Sequence, residues 1–127
     1  MITSLYAALL TLLFVFLTVR TVSLRNKFRI SIGDGREPLL LRAARAHANF
    51  AEYVPLALLL IFFVEMHGAM AWLVHALGLA LLVGRSLHAF GISQMAEKLP
   101  FRIMGMVLTL TSLVASTLSL LWLFAYK

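Results

Sequence analysis

The chain contains no cysteine. Disulfides, thiolate metal sites and a thiol nucleophile of the protein's own are therefore excluded, and any sulfur chemistry requires a thiol from outside. Acidic residues are scarce, five against eleven lysines and arginines, and charged residues of both signs make up only 13% of the 127 positions. With 62% hydrophobic residues and a mean hydropathy of +0.97, the chain lacks the polar surface that a water-soluble domain of this length needs. His67 and His75 have no companion ligands, so no metal centre is expected. The net charge of +6 forms no soluble basic patch and accompanies no nucleic-acid motif, so no nucleic-acid partner is expected. No internal repeat or low-complexity tract divides the chain, and residues 1–127 read as one domain.

What is present is apolar sequence in long blocks, about Ile2 to Ser23, Leu39 to Met66, Ala69 to Phe90 and Phe101 to Tyr126. Each exceeds the roughly 20 residues a helix needs to cross a bilayer. The breaks carry turn chemistry, "SIGDGREP", "MHGAM" and "GISQMAEKLP". The fold class expected is thus an all-α membrane protein, a bundle of four transmembrane helices with membrane lipids as partners. The first segment has no basic residue before Arg20 and no small-residue cleavage site after it, so it reads as a helix and not as a signal peptide. Four crossings put the first and third connections on one side, with Arg20, Arg25, Lys27, Arg29, Arg36, Arg42, Arg45, Arg85, Lys98 and Arg102 in or beside them and only Lys127 opposite. By the positive-inside rule that side is cytoplasmic and both termini are not. Arg20, Arg25, Lys27 and Arg29 are assigned to topology and lipid head groups.

The second segment opens with "LLLRAARAHANFAEYVP". At 3.6 residues per turn Arg42, Arg45, Asn49, Glu52 and Tyr53 fall within an arc of about 100°, whereas His47 lies on a different face. A polar stripe at membrane depth is expected to face other helices, since an ionised group there costs at least roughly 2.5–3.5 kcal/mol. Candidate neighbours are Arg85 and His88, three apart in the third segment, and Arg102 at the start of the fourth. Glu52 and Asn49 could simply tie helices together. One glutamate, however, cannot neutralise Arg42, Arg45, Arg85 and Arg102, and the excess positive charge calls for an anionic ligand, either lipid phosphate or a polycarboxylate peptide.

At these residues the sequence resembles the MAPEG family, the membrane-associated proteins of eicosanoid and glutathione metabolism. "RAARAHANFAEYVP" is similar to the family's second-helix signature, "GRSLH" to its third-helix motif and "PFR" to the opening of its fourth helix, and the likeness spans nearly the whole chain. Together with "VSLRNKFRISIGDG", it is strongest toward small bacterial members. The resemblance implies a homotrimer in a bacterial inner membrane, with glutathione as the cofactor held between subunits in the cytoplasmic half. It implies that Arg45, Asn49, Glu52 and Tyr53 contact glutathione, with Arg85 and His88 as further lining. Arginines would suit its carboxylates and Glu52 its ammonium.

The likeness is weaker around the thiol. Ala48, Ile92, Ile103 and Met106 stand where relatives carry Arg, Tyr or Ser donors, and Ser23, with Arg25 nearby, where several carry a first-helix arginine. Arg102 is left as the catalytic candidate, a cation beside the sulfur that favours thiolate. The function implied is a glutathione-dependent transferase or peroxidase acting on lipophilic electrophiles. The alternatives are a non-catalytic glutathione- or lipid-binding protein and a small proton-coupled exporter built on Glu52. The arginines beside Glu52 disfavour the exporter, because they repel cationic cargo.

Overall fold

In the computed structural model, residues 1–126 are described; Lys127, the one cation assigned to the opposite side, lies outside the described residues. Four helices follow one another, α1 (Ile2–Phe28), α2 (Pro38–Met66), α3 (Ala71–Ser93) and α4 (Leu99–Tyr126). Each is long and apolar enough to span a bilayer.

The segment boundaries expected from hydropathy are close for three helices and short for α1, which continues beyond Ser23 to Phe28. Its last turn contains Leu24, Arg25 and Lys27, which favour helix although they are not uniformly apolar. The helix stops where Arg29 turns left-handed (φ 55°), and the amide of Ile30 donates back to the Arg25 carbonyl at 3.0 Å. α2 starts at Pro38, where the missing amide hydrogen is no loss. Farther along, Pro55 deprives the Ala51 carbonyl of its helical donor. The α2–α3 turn passes through Gly68 at φ 78°, a conformation that suits a residue without Cβ.

α2 and α3 form the middle of the bundle, and each packs against all the other helices; α1 and α4 flank them without meeting among the described residues. The core runs through Leu10 and Leu17 of α1, Phe50 and Ile61 of α2, and Leu77 and Leu81 of α3. Leu12, Phe16, Leu79, Leu118 and Phe124 point outward, as lipid-facing side chains do when the solvent is hydrocarbon. α3 and α4 approach most closely at glycines. A Cβ on Gly105 would fall on the His88 amide nitrogen and 2.5 Å from the Gly84 carbonyl oxygen, so backbone meets backbone there, as small residues permit in membrane helices.

Polar side chains join the helices at both ends. Glu65, near the end of α2, accepts the amides of Ile2 and Thr3 and the Thr3 hydroxyl, placing a carboxylate on the N-terminus of α1 where it satisfies otherwise orphaned donors. The Tyr6 hydroxyl lies 3.0 Å from His75 Nδ1. His47, set apart from the stripe by its angle, stacks on Phe14 with centroids 4.8 Å apart and places Nε2 3.0 Å from the Thr18 hydroxyl. It ties α2 to α1. The connections 29–37 and 94–98 lie together at the other end, where Arg20 of α1 donates to the Ser93 carbonyl that closes α3.

Candidate functional site

The second-helix stripe divides along its width. Asn49 and Tyr53 face α3, while Arg45 and Glu52 turn outward and pair at 3.9 Å with both side chains 52% exposed. Their angles account for this, since Arg45 and Glu52 occupy one edge of the arc and Asn49 and Tyr53 the inward half. In the single chain, the expectation that the whole stripe packs on other helices therefore holds for its inward half only.

Arg85 is the centre of the inward half. It has no exposure at all. One terminal nitrogen, Nη2, donates to Asn49 Oδ1 at 2.6 Å and lies 3.2 Å from His88 Nδ1. Because a guanidinium only donates, His88 Nδ1 must accept, which puts the ring proton on Nε2. The Arg85 guanidinium carbon is 5.8 Å from the Tyr53 ring centroid, within cation–π range. Arg85 Nε and Nη1 are buried with no hydrogen-bond partner among the described residues. No carboxylate forms a salt bridge with this cation among the described residues, so its charge is held by an amide oxygen, a ring nitrogen and a π-face. His88 is itself buried against the α4 backbone at Gly105.

A second group of charges lies closer to the connections. Arg42, Arg45 and Arg102, with Pro38, Leu41, Ile92 and Glu97, line a cavity of about 270 Å³ between α2, the α3–α4 turn and the start of α4. Glu97 accepts a hydrogen bond from Arg102 Nη1 and sits 3.8 Å from Arg42 Nη1. Arg42 also donates to the Ile92 carbonyl at 3.2 Å. Sequence reading gave this arginine cluster a single carboxylate, Glu52, whereas the structure supplies two. Glu97 was overlooked because periodicity does not reach into a turn. The one signal was its position five residues before Arg102 in a chain with five acidic residues. Four arginines against two carboxylates still leave two positive charges.

The structure thus brings Asn49, Tyr53, Arg85 and His88 together, and gathers Arg42, Arg45 and Arg102 one layer nearer the connections. Glu52 joins neither group except through Arg45. At the positions lacking family donors, Ile92 forms a wall of the cavity and Ile103 points outward. Ser23 is exposed, and Arg25 is taken up by the Gly33 carbonyl at 2.8 Å.

Four helices long and apolar enough to span a membrane, with a net-cationic cluster at one end, define an integral membrane protein. The chain belongs to the MAPEG family, whose model matches residues 3–122. It is similar to the inner membrane protein YecN of Escherichia coli strain K12, with 38% identity over 122 residues, 96% of this chain and 92% of that protein. YecN of Escherichia coli strain CFT073 matches with the same figures.

Proposed function

We propose that the protein binds glutathione at the α2–α3–α4 cluster and uses its thiol on lipophilic electrophiles or hydroperoxides arriving from the bilayer, as a transferase or peroxidase. The observation that carries this reading is the excess of two positive charges in the half-buried cluster of Arg42, Arg45, Arg85 and Arg102 against Glu52 and Glu97. Such cations suit carboxylates, which accept charge-assisted bonds from guanidinium. Glutathione offers two carboxylates, and Glu52, half exposed beside Arg45, is assigned to its ammonium. When bound, glutathione supplies the nucleophilic sulfur that a chain without cysteine lacks.

Each residue has a separate task. Arg42 and Arg45 provide positive charge at the mouth. Arg85, enclosed and held by Asn49 and His88, adds fixed positive charge from behind the cavity, and Arg102 is the cation assigned to favour thiolate over thiol. The apolar helix faces admit substrates dissolved in lipid and keep water away.

The outward Arg45–Glu52 pair supports assembly with further copies of the chain, because two half-exposed charges near membrane depth are better placed against protein than against acyl chains, and the family resemblance makes that assembly a homotrimer. Glutathione would then be enclosed between subunits. The ten basic residues around the connections 29–37 and 94–98 support placing that end in the cytoplasm and both termini outside it. Similarity to an inner membrane protein supports a bacterial inner membrane.

A second reading is favoured by the engagement of Arg102 with Glu97 and by the absence of hydroxyl donors at positions 92, 103 and 106. In it the site binds glutathione or a lipid head group without turnover. Titrating purified protein with glutathione while recording thiolate ultraviolet absorbance and thermal stability separates the two. A thiolate signal supports the enzyme, stabilisation without thiolate supports the binding protein, and no response in either readout rejects glutathione.

A further inference from the structure

A cavity of about 630 Å³ lies in a different part of the bundle, between α1 and α3. It shares no residue with the arginine cavity of α2 and α4. Its walls are apolar, with Leu13, Phe16 and Leu17 from α1 and Ala89 and Phe90 from α3, and residues 94–96 close it at the basic end. Both walls span seven helical steps, from Leu13 to Arg20 and from Ser86 to Ser93, so the groove is about 10 Å long at 1.5 Å rise per residue. Arg20 is the one charged residue lining it and stands at the end where Ser93 and Gln94 also lie. Nη2 of Arg20 donates to the Ser93 carbonyl at 3.1 Å, while Nη1 is buried with no partner among the described residues. No carboxylate lines the groove.

We infer that this α1–α3 groove is a binding site for an anionic bilayer lipid, whose phosphodiester pairs with Arg20 and whose acyl chain lies along Leu13, Leu17 and Phe90. The occupant follows from complementarity at both ends. A guanidinium with one free donor edge matches a singly charged phosphate, and about 10 Å of hydrocarbon wall matches an acyl chain. A soluble anion would satisfy only the cation. A zwitterionic lipid would bring an ammonium that competes with Arg20 for its own phosphate. The depth also agrees, because Arg20 sits level with the end of α3, where a membrane helix meets the head groups.

The test uses the full chain in phosphatidylcholine nanodiscs, titrated with phosphatidylglycerol and read by native mass spectrometry and thermal stability. One phosphatidylglycerol per chain is expected to be retained. Arg20→Gln should weaken retention about fivefold, the effect of one interfacial arginine. Ser86→Phe, which fills the groove and leaves Arg20 in place, should weaken it comparably, whereas Arg25→Gln, outside the groove, should not. Wild-type retention by both groove variants would overturn the assignment. So would a loss confined to Arg20→Gln, or an equal loss in Arg25→Gln, since either would mean diffuse charge attraction. If Arg20→Gln does not fold, Ser86→Phe decides alone. Glutathione binding is read at other residues, so the two proposals fail independently.

Discussion

Replacing Asn49 with alanine removes the one side-chain oxygen that accepts from Arg85. Among the described residues the cation keeps only His88 Nδ1 at 3.2 Å and the Tyr53 ring, and its Nε and Nη1 have no partner there to compensate. A hydrogen bond to a charged group contributes about 1.5–3 kcal/mol in water-soluble proteins. Inside membranes the measured average is only about 0.6 kcal/mol, with a maximum near 1.7, because the separated helices find other partners. Arg85 is completely enclosed and its bond to Asn49 is short, so the upper end of the membrane range applies, about 1.5 kcal/mol, or roughly a tenfold change in the folding equilibrium. The assay is a double-mutant cycle combining Asn49→Ala with Arg85→Met, followed by equilibrium unfolding in mixed micelles. Arg85→Met also removes the buried charge, so Asn49→Ala should cost little in that background. A coupling below about 0.5 kcal/mol would refute the view that Asn49 anchors Arg85. If anchoring is what Asn49 supplies, Asn49→Ala should also weaken glutathione binding while Arg85 remains.

Gly105→Ala should destabilise by about 1–3 kcal/mol, because the new methyl group meets the backbone at His88 and Gly84 and no side chain can yield; thermal unfolding measures it, and a neutral result would mean that α3 and α4 separate easily. Glu97→Gln should change stability by less than about 1 kcal/mol, since its partner Arg102 is 44% exposed, yet tighten glutathione binding by releasing Arg102 and Arg42. Weaker binding in isothermal titration would instead assign Glu97 to the ligand's ammonium. Glu65→Ala removes the acceptor of two amides and a hydroxyl at the start of α1 and should lower stability by about 0.5–2 kcal/mol, as loss of a helix cap does. Proteolysis at the N-terminal turn should accelerate in the same variant.

Much of this arrangement was legible in the sequence, for identifiable reasons. Hydrocarbon imposes long apolar blocks, so four helices could be placed from composition, with error only where α1 runs on through Leu24–Phe28. Helical periodicity brought Asn49 and Tyr53 to the face that meets Arg85 and His88, and set His47 apart. Periodicity gives angles but not neighbours, however, so it could not tell that Arg45 and Glu52 would turn away from their own bundle. Glu97 lay beyond its reach because a turn has no repeating angle. The clamp of Glu65 on Ile2 and Thr3 joins residues more than sixty positions apart, and neither side carries a local pattern that points to the other.

The glycine contact between α3 and α4 has a bearing on how the site could open. Where backbone rests on backbone at Gly84, His88 and Gly105, there is no side-chain layer to slide or repack, so the two helices should act as one stiff plate. Arg85 and His88 lie on one half of that plate and Arg102 on the other, and their spacing is settled before anything binds. α2 packs against this plate through the core and through the Asn49–Arg85 bond, and only at the rim does it meet the plate through the flexible side chains of Arg42, Glu97 and Arg102. Under the proposed function an incoming anion would find half of its contacts preset at little entropic cost, and the movement that admits or releases it would fall to the rim side chains.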